Sequence, residues 1–472
     1  MVAREKTVGM ENDILKQIGA IADEERVDAY VVGGYVRDTL LGKPGKDIDI
    51  MVVGDGIAFA RTVAKHLHVP HPVVFEKFGT AMLPMSEGKI EFVTAREEQY
   101  ERDSRKPAVK KASLESDLLR RDFTVNALAA SIRKSAWGKL IDPFHGLDDL
   151  KKKVLRTPLE PERTFDDDPL RMMRAVRFAS QLQFSVEETA LDAVRRMAER
   201  ISIVSQERIT EEFLKLLSSR RPSIGLQLLY ETGLAKLVFP ELVDMVGVEQ
   251  RKDYHHKDVF LHTLKVVDNI SAVTEDVWLR FAALAHDIAK PRTKAFKEGI
   301  GWTFHGHEDL GARMMKPLFR RMKLPMERLP YLEKLVRLHL RPMALVSEEI
   351  TDSAIRRLLF EAGPEIDDLM VLCRADITSQ NPQRVARYLK NYDIVLRKMA
   401  EVEEKDRLRN WQPPVRGNEI MEVCGIEPSP VVGILKSKIE NAILDGEIPN
   451  EHAAALAYLL RIKDQILKEH LP

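Results

Sequence analysis

The chain carries VVGGYVRD at residues 31–38 and KDIDI at residues 46–50, and these two stretches say most about its fold. The paired valines predict the end of a buried strand, and the two glycines after them allow a tight turn close to a ligand. Asp47 and Asp49 alternate with isoleucines, so in an extended strand both carboxylates point to one side. Mg²⁺ prefers such paired carboxylates when it also binds substrate phosphates.

The residues after the first predicted strand fit a phosphate-binding turn. Gly33 and Gly34 leave backbone N–H groups free, and Arg37 follows one helical turn later. Both kinds of donor bind phosphate oxygens. Glycine turn and carboxylate strand, in this order, predict metal-dependent transfer of a nucleotidyl group. Either piece alone fits a glycine hairpin or a charged edge strand equally well.

Length and composition set outer limits. A chain of 472 residues is too long for one compact core and predicts two to four domains. Its formal net charge of zero argues against a uniformly basic coat for nucleic acid but not against a local basic track. Two cysteines, Cys373 and Cys424, give no disulfide framework and favour a reduced, cytoplasmic setting. The first 22 residues predict an amphipathic helix rather than a signal peptide, and no apolar run is long enough to span a membrane.

The coarse pattern changes near Gly146. Before it, a polar stretch between Arg96 and Glu115 has no apolar periodicity and predicts a mobile loop. After it, helix caps and breakers recur almost to the C-terminus. Five segments predict strands of one small sheet: Tyr30–Val32, Ile48–Val53, Ala81–Pro84, Lys89–Thr94 and Ala127–Ser131.

Asp168 and Arg171 fit the start of a helix in the second region. Pro169 suits the first turn, with Asp168 as N-cap. Because the two charged residues are three apart, they share a helix face. A carboxylate accepts from an exocyclic amine and a guanidinium donates to ring acceptors. The pair can therefore read the Watson–Crick edge of a base without a nucleic-acid template; a salt-bridged helix face is the alternative.

Histidines cluster further along, next to aliphatic residues. His and Asp suit borderline divalent metals such as Zn²⁺, Mn²⁺, Co²⁺ or Ni²⁺. An Asp after a His amid Leu, Ala and Ile is costly to bury without a partner, and a metal ion is a good one. A single helical His would more often be structural. The residues of this pattern are His262, His286, Asp287, His307, His339 and Asp376, whereas His255 and His256 fit no pattern and are expected at the surface.

Five motifs in order resemble those of the bacterial tRNA nucleotidyltransferase and poly(A) polymerase family, within the polymerase-β-like superfamily. They are GGYVRDTLLGKPGKDIDI (33–50), RRDFTVNALA (120–129), IDPFHGLDDLKKKVLRTP (141–158), DDDPLRMMRAVRFA (166–179) and ERITEE (207–212). The resemblance implies two-metal nucleotidyl transfer, with Mg²⁺ held by Asp47 and Asp49. The superfamily often adds a third carboxylate from a neighbouring strand, for which Glu91 is the candidate.

The resemblance also implies how the nucleotide is bound. Asp168 and Arg171 match the family's amino-acid template for incoming CTP and ATP, although the Glu that usually opens this motif is Asp167 here. The other nucleotide-binding residues implied are Gly33, Gly34, Arg37, Arg120, Arg121, Asp122, Arg174 and Arg177. A helix-start salt bridge is the alternative for Arg120, Arg121 and Asp122.

The downstream pattern resembles the HD phosphohydrolase superfamily. Four residues match its basic ligands, namely His262, His286, Asp287 and Asp376. His307 and His339 match the extra pair seen where two metals are held. The module is often fused to nucleotidyltransferases of this family, where it can carry phosphatase and 2′,3′-cyclic phosphodiesterase activity. The metal expected is Ni²⁺, Co²⁺, Mn²⁺ or Zn²⁺.

The predicted fold class is α+β: a polymerase-β-like nucleotidyltransferase head with a small mixed sheet, then an all-helical neck, an HD domain and a C-terminal helical tail. The predicted bounds are 1–148, 149–240, 241–395 and 396–472. In the tail, which resembles the family's C-terminal region from Trp411 onward, Arg416, Lys436 and Lys438 are candidates for RNA phosphates, with solvated helix faces as the alternative.

The activity implied is CCA addition: CMP and AMP from CTP and ATP are joined to the 3′ end of tRNA. Poly(A) polymerases and enzymes that add only CC or only A share the motifs. The segment FEKFGTA (75–81) resembles the CCA type and lacks the Gly-Arg-Arg-Phe-like sequence typical of bacterial poly(A) polymerases.

Two other classes of protein are rivals: an HD phosphohydrolase with an RNA-binding head and a non-catalytic RNA-binding protein. The intact Asp47 and Asp49 disfavour the first, and two sets of metal ligands disfavour the second. The oligomeric state stays open.

Overall fold

The structure, a computed structural model, describes residues 6–43, 45–85, 88–101, 104–249, 258–347, 351–379, 381–406 and 413–470. The chain divides into two compact units, Met1–Val243 and Asp244–Pro472. Within the described residues, no helix combines the length and the apolarity that a bilayer crossing requires.

The first unit contains the strands. They are β1 (Asp28–Val32), β2 (Ile48–Val53), β3 (Val73–Phe75), β4 (Thr80–Pro84), β5 (Lys89–Thr94), β6 (Arg96–Glu101), β7 (Ser104–Lys111), β8 (Ala129–Ser131), β9 (Leu140–Ile141), β10 (Val154–Leu155) and β11 (Ser185–Val186). A seven-stranded mixed sheet has the order β3-β4-β5-β2-β1-β8-β9. Only β2 and β5 pair in parallel within it.

The five predicted strands lie in this sheet, as expected from the sequence. β8 begins two residues later than predicted because Thr124–Asn126 forms a 3₁₀ turn. The strands β3 and β9 were missed because they are too short to show an alternating pattern.

The loop predicted between Arg96 and Glu115 is wrong. The strands β6 and β7 pair there as an antiparallel ribbon, and a helix begins at Leu114. Backbone pairing holds this ribbon between polar sequences, so apolar periodicity gave no sign of it.

The first unit also contains helices, several of which pack against the sheet. They are α1 (Asp13–Glu24), α2 (Gly34–Leu40), α3 (Gly56–His66), α4 (Leu114–Leu119), α5 (Gly146–Lys152), α6 (Pro161–Asp167), α7 (Leu170–Leu182), α8 (Glu188–Met197), α9 (Gln206–Leu217), α10 (Pro222–Glu231) and α11 (Ala235–Val238); α12 (Pro240–Asp244) follows at the boundary. The first of these starts later than the sequence predicted, because the Asn12 side chain accepts from the N–H of Leu15 and caps the helix.

Alternation along β2 determines which face of the sheet carries the carboxylates. Ile48, Ile50 and Val52 are buried in the core that α1 and α3 form with one face. Met51 belongs to the smaller core on the other face. Because successive residues point to opposite faces, Asp49 shares the face of Met51, away from the α1–α3 layer.

The second unit is almost entirely helical. Its helices are α13 (Val259–Ser271), α14 (Val277–Ala285), α15 (Lys290–Thr293), α16 (His307–Arg321), α17 (Leu329–Leu338), α18 (Arg341–Ser347), α19 (Asp352–Ala362), α20 (Ile366–Ala375), α21 (Pro382–Asp406), α22 (Gly417–Cys424), α23 (Pro430–Leu444) and α24 (His452–His470). A short hairpin pairs β12 (Ala295–Lys297) with β13 (Gly301–Thr303). The last three helices share a small core of their own.

Candidate active sites

A cleft of about 650 Å³ opens in the first unit, and every residue predicted for metal or nucleotide binding in nucleotidyl transfer lines it, except Glu91. These residues are Gly33, Gly34, Arg37, Asp47, Asp49, Arg120, Arg121, Asp122, Asp168, Arg171, Arg174 and Arg177. They come from the glycine turn, the carboxylate strand, the RRDF motif and helix α7. The motifs therefore meet in one place although they are spread over more than a hundred residues.

The carboxylates concentrate negative charge beside this cleft. Asp49 on β2 lies opposite Glu91 on β5 in the parallel register. Burial raises the pKa of Asp49, and the charges of Glu91 and Asp47 raise it further against the opposing Arg121. Such a group of carboxylates fits a divalent cation, because a cation would relieve this repulsion. Glu91 itself lies outside the cleft lining, with Oε2 3.8 Å from Nζ of Lys89.

The glycine turn is required by its geometry. Gly33 has φ of 70°, in the left-handed region that favours glycine. A Cβ atom there would also lie 2.6 Å from Nη1 of Arg121. The turn leads directly into α2, where Arg37 is buried and donates from Nη1 to Oδ1 of Asn126 at 2.6 Å. Arg37 also makes a two-pronged contact with Asp38, at 2.8 Å from Nε and 2.8 Å from Nη2. Its guanidinium is therefore fixed before any ligand arrives.

Asp122 is the buried acceptor of the RRDF motif. Its Oδ1 accepts from Nδ2 of Asn126 at 3.0 Å, and its Oδ2 accepts from Nε of Arg174 at 2.7 Å. Burial would raise the pKa of Asp122, but Arg174 and Asn126 outweigh it and lower the pKa to about 2. Asp122 is thus ionised and orients Arg174.

The two arginines before Asp122 are held by the chain as well. Arg120 donates from Nε and Nη2 to Oδ1 of the buried Asp117, at 3.0 and 2.7 Å. Arg121 donates from Nη1 to the carbonyl of Asn126 at 3.4 Å. Nη2 of Arg121 also lies 3.4 Å from Oδ2 of Asp117. The alternative of a salt bridge at a helix therefore applies to both arginines, and it coexists with their position in the cleft lining.

The predicted template pair lies at the start of α7. Asp168 has extended dihedrals and Pro169 helical ones, and Oδ1 of Asp168 accepts from the N–H of Leu170 at 3.1 Å. This is the capping role that the sequence predicted. Arg171 is buried and donates to the carbonyls of Thr164 and Arg120 at 3.2 and 2.5 Å. Two backbone acceptors thus fix its guanidinium at the edge of the cleft.

Phe178 is a cleft residue that the sequence reasoning missed. Its ring lies 3.9 Å from the guanidinium carbon of Arg177, 5.1 Å from that of Arg37 and 5.2 Å from that of Arg174. The edge of Phe123 from the RRDF motif also meets it, with centroids 6.0 Å apart. Cations at these distances are attracted by the ring quadrupole. Phe178 therefore connects three of the predicted nucleotide-binding arginines.

Four further cleft residues were also missed: Asn126, Gln181, Arg208 and Lys215. Helical spacing gave a usable signal for Gln181, which continues the face of Arg171, Arg174 and Phe178. Arg208 lies within the quoted ERITEE motif. Lys215 follows on the same helix, and nothing in the sequence distinguished it from a solvated lysine.

The second unit brings the histidine and aspartate pattern together. His262, His286 and Asp376 offer ligand atoms within 4.8 Å of one another, and so do Asp287, His307 and His339. The packing of α13, α14, α16, α17 and α20 makes this possible. His286, His307, His339 and Asp376 all stand at helix ends, where side chains can converge without blocking the helix packing.

Asp287 lies between the two groups. Its Oδ2 is 3.2 Å from Nε2 of His286 and 3.4 Å from that of His262. Its Oδ1 is 3.3 Å from Nε2 of His307 and 3.7 Å from that of His339. One carboxylate oxygen therefore faces each group, which is the arrangement of a bridging ligand.

The ring orientations fit metal binding. Nδ1 of His286, His307 and His339 each lies 2.7–2.8 Å from a backbone carbonyl, which only accepts hydrogen bonds. These Nδ1 atoms must therefore carry the proton, so in the neutral rings Nε2 keeps the lone pair. Within each group, the Nε2 atoms of the two histidines lie 3.3 Å apart: His262 and His286 in one, His307 and His339 in the other. In the His307–His339 pair both Nδ1 atoms carry the proton, so two lone pairs face each other and repel unless a cation lies between them.

The buried carboxylates of Asp287 and Asp376 also indicate that the cluster binds a cation. Within the described part of the chain, Oδ1 of Asp287 and Oδ1 of Asp376 receive no hydrogen bond of acceptable geometry. Burial would raise the pKa of Asp287, yet His286 and Lys290 hold that pKa well below its usual range. Burial opposes a proton on His286, but Asp287 and Asp376 raise its pKa to about 10. The cluster thus requires positive charge, which a divalent metal would supply.

The remaining predicted residues are less informative. His255, His256 and Trp411 lie outside the described residues. In the tail, Arg416 and Lys438 are exposed, and Nζ of Lys436 lies 3.7 Å from Glu440. These positions agree with solvated helix faces. Cys373 is buried, Cys424 is half-buried, and both are free thiols.

Three segments match known protein families. Residues 29–156 match the poly A polymerase head domain, residues 183–245 match the family described as the probable RNA and SrmB-binding site of polymerase A, and residues 259–380 match the HD domain. Nucleotidyltransferase and HD domains typically use divalent metals, which agrees with the carboxylate and histidine groups above.

Comparisons over most of the chain agree with these family matches. The A-adding tRNA nucleotidyltransferase of Deinococcus radiodurans is 33% identical over 433 residues, which covers 89% of this chain and 92% of the relative. The multifunctional CCA protein of Nitrosococcus oceani is 31% identical over 363 residues, covering 74% and 84%. The crystal structure of the Bacillus stearothermophilus CCA-adding enzyme in complex with CTP superposes with a TM-score of 0.67 at 26% identity, covering 97% of this chain and 98% of that one. The chain therefore belongs to the tRNA nucleotidyltransferase and poly(A) polymerase family and carries an HD domain.

Proposed function

We propose that this chain is a CCA tRNA nucleotidyltransferase, which adds CMP and AMP from CTP and ATP to the 3′ end of tRNA without a nucleic-acid template. One observation carries the proposal: a single cleft is lined by the carboxylates of Asp47 and Asp49 and by the base-reading pair Asp168 and Arg171. The similarity to a multifunctional CCA protein supports it, as does the similar fold of a CCA-adding enzyme in complex with CTP.

In this proposal, Mg²⁺ held by Asp47 and Asp49 would neutralise the triphosphate and stabilise charge at the reacting phosphate. Glu91, in register with Asp49, adjoins this site. The arginines, above all Arg37 and Arg121, bind phosphate oxygens from fixed positions. The 3′-oxygen of the tRNA forms a bond to the α-phosphorus as its proton passes to solvent. The bond from the α-phosphorus to the oxygen that bridges it to the β-phosphate breaks, and pyrophosphate leaves with that electron pair.

Base selection follows from the chemistry of the template pair. Cytosine and adenine each carry an exocyclic amine next to an unprotonated ring nitrogen, whereas uracil and guanine present a carbonyl and an N–H there. Asp168 accepts from the amine and Arg171 donates to the ring nitrogen. Because Arg171 is held by the carbonyls of Thr164 and Arg120, it presents its remaining donors in a constant direction.

A-only addition is the second candidate, because the Deinococcus radiodurans relative that matches over 89% of this chain is an A-adding enzyme. The decisive experiment offers labelled CTP and ATP with tRNA ending at the discriminator base, at CC, or at complete CCA. The proposal expects three additions, one addition and none, respectively. AMP added only to the CC substrate would mean A-only addition, CMP alone added to the shortest would mean CC-only addition, and long tails on complete tRNA would mean poly(A) synthesis.

For the second unit, we propose that the six-residue group binds one or two ions of Ni²⁺, Co²⁺, Mn²⁺ or Zn²⁺ and hydrolyses phosphoesters. Its metal would supply a bound hydroxide near neutral pH. The chain's own residues fix the ring orientations and keep the carboxylates ionised. Hydrolysis of 2′,3′-cyclic AMP by the metal-loaded protein tests this, and no hydrolysis with any of the four metals would refute it.

The domain division also stays a proposal: a head at 1–148, a neck at 149–240, an HD domain at 241–395 and a tail at 396–472. We assign the head to catalysis and the neck to nucleotide and RNA contacts. The cytoplasm is the proposed compartment, which the two free cysteines favour.

A further inference from the structure

The β12–β13 hairpin lies in the chain segment between two residues of the six-residue metal-ligand group in the second unit, which is called the histidine–aspartate group below. The members of this group are His262, His286, Asp287, His307, His339 and Asp376. Asp287 precedes this segment, and His307 begins the helix after it. The short helix α15 and the two strands fill the interval. The family resemblance assigns no role to these residues.

One face of the hairpin combines aromatic rings with lysines. Phe296 pairs directly with Trp302, so both side chains point the same way, and their ring centroids are 5.2 Å apart. Residues two apart in a strand share a face, which adds Lys294 and Phe304 at its ends. The ammonium of Lys294 lies 4.2 Å from the centre of the Trp302 ring.

This face reaches the metal-binding group through Lys290. Nζ of Lys290 lies 2.7 Å from Oδ2 of Asp287 and 5.6 Å from the centre of the Phe304 ring. The contacts therefore run from Asp287 to Lys290 and on to Phe304. From Phe304 the chain leads back to Trp302 on β13, which pairs with Phe296 on β12. A ligand whose phosphoester reached the histidine–aspartate group would extend over the rings.

Exposure and charge indicate what that ligand is. The side chain of Phe296 is 57% exposed, which is unusual for a large aromatic residue. The segment carries Lys290, Arg292, Lys294 and Lys297 against a single acidic residue, Glu298. An exposed aromatic ring beside cations is the combination that holds an unpaired base by stacking and its phosphate by charge.

We propose that this hairpin is a nucleotide-binding platform for the HD site. It takes the base of a nucleotide phosphoester, either a free mononucleotide or the 3′-terminal nucleotide of an RNA, against the ring of Phe296, which Trp302 supports edge to face, while Lys290 and Lys294 bind its phosphate. The inference rests on the proposed phosphohydrolase function and adds to it a preference for nucleotides over phosphoesters without a base.

The kinetic test uses the full metal-loaded protein with two phosphomonoesters, 3′-AMP and glycerol 2-phosphate. Phe296→Ala should raise KM for 3′-AMP about tenfold, since stacking on one ring is worth roughly that much. It should leave kcat and the KM for glycerol 2-phosphate unchanged. Phe296→Trp should keep the wild-type KM. Val273→Ala, which alters another exposed apolar side chain of the same unit, serves as the matched control.

A second readout does not depend on hydrolysis. An RNA oligonucleotide with a 3′-terminal 4-thiouridine is photocrosslinked to the protein, and the modified peptide is identified by mass spectrometry. The proposal expects crosslinks within residues 294–304, reduced about tenfold by Phe296→Ala and not by Val273→Ala. Crosslinks in the hairpin together with an unchanged KM for 3′-AMP in Phe296→Ala would identify the RNA end as the occupant. A raised KM for 3′-AMP in that variant without crosslinks would identify the mononucleotide.

The outcomes also distinguish a failure of the nucleotide-binding platform from a failure of the proposed phosphohydrolase function. Crosslinking at the hairpin by a protein that hydrolyses neither substrate would refute the phosphohydrolase and leave the platform standing. Hydrolysis of both substrates with equal KM in wild type and Phe296→Ala, together with no crosslink in the hairpin, would overturn the platform and leave the phosphohydrolase standing.

Discussion

Nε of Arg174 donates to Oδ2 of the buried Asp122 at 2.7 Å, and this contact joins helix α7 to the RRDF motif. Nη1 of Arg174 also approaches Glu212 of α9 at 3.8 Å. The arginine stripe of α7 is therefore oriented by buried carboxylates before any nucleotide binds. This arrangement is a physical form of preorganisation, because the guanidiniums do not have to be ordered at the moment of binding.

The first prediction concerns pH. The pKa of Asp122 is about 2 in the folded chain, below its ordinary 3.8. Its ionised form therefore contributes stability that is complete above about pH 4 and is lost as pH falls through 2, about 2 kcal/mol in all. Hydrogen exchange of α7 amides measures it: protection in wild type should fall more steeply between pH 4 and 2 than in Asp122→Asn. Asp13→Asn, an exposed acid, is the control. Parallel pH profiles in all three proteins would contradict the prediction.

The second prediction concerns base selection. Arg171→Ala should lose discrimination against UTP and GTP by roughly 10- to 100-fold in kcat/KM, on the scale of about 1–3 kcal/mol for a two-pronged base contact. Arg171→Lys should lose most of it too, because an ammonium lacks the planar fork. Steady-state incorporation with each of the four nucleotides measures this, and exposed Arg163→Ala is the matched control. Unchanged preference in Arg171→Ala would mean that the base is read elsewhere.

The third prediction concerns Phe178, which contacts Arg37, Arg174 and Arg177 through its ring. Phe178→Leu keeps an apolar side chain and removes the ring quadrupole. We expect KM for both CTP and ATP to rise about tenfold, on the basis of about 0.5–1 kcal/mol for each cation. Phe178→Trp should retain binding. Phe213→Leu, at another buried aromatic of the first unit, should lower stability without changing KM. Equal KM shifts in Phe178→Leu and Phe213→Leu would mean that Phe178 acts only through packing and not through its contacts with the arginines.

The fourth prediction separates the two chemistries. Asp287 faces both ligand groups, so Asp287→Ala should lower metal content in both, whereas His339→Ala should affect only the group with His307. Elemental analysis after dialysis counts the ions. Both variants should hydrolyse 2′,3′-cyclic AMP poorly and still add nucleotides to tRNA at the wild-type rate. Loss of nucleotide addition in a variant with intact circular dichroism would show that the sites are coupled.

Elements whose apolar residues follow a regular period could be predicted from the sequence. The strands β2 and β5 were predicted with their observed bounds, since Ile48, Ile50 and Val52 alternate with residues of the other face. Ordered motifs also predicted the family, which the comparisons confirm. Polar strands such as β6 and β7 were missed because their pairing depends on the backbone, which side-chain hydrophobicity does not report.

Site residues divide in a similar way. Histidines and aspartates in an apolar context stand out by residue type, and the structure does bring His262, His286 and Asp376 together. Phe178 and Trp302 did not stand out, because an aromatic residue in a helix or hairpin resembles any core residue until its neighbours are known. The cations over their rings come from distant or unremarkable positions. Such contacts are tertiary, and a single sequence does not encode them locally.

The most direct test of the central claim, that the cleft with Asp47 and Asp49 performs nucleotidyl transfer, is single-turnover incorporation of labelled AMP into tRNA ending in CC. Asp47→Asn and Asp49→Asn preserve shape and remove charge from the proposed metal ligands. We expect a loss of about a thousandfold or more in each, since metal stabilisation is worth several kcal/mol and each 1.36 kcal/mol is tenfold. The same preparations should keep the wild-type fold and wild-type hydrolysis of 2′,3′-cyclic AMP. Full incorporation by either variant would show that its carboxylate does not hold a catalytic metal and that this cleft is not the site of nucleotidyl transfer.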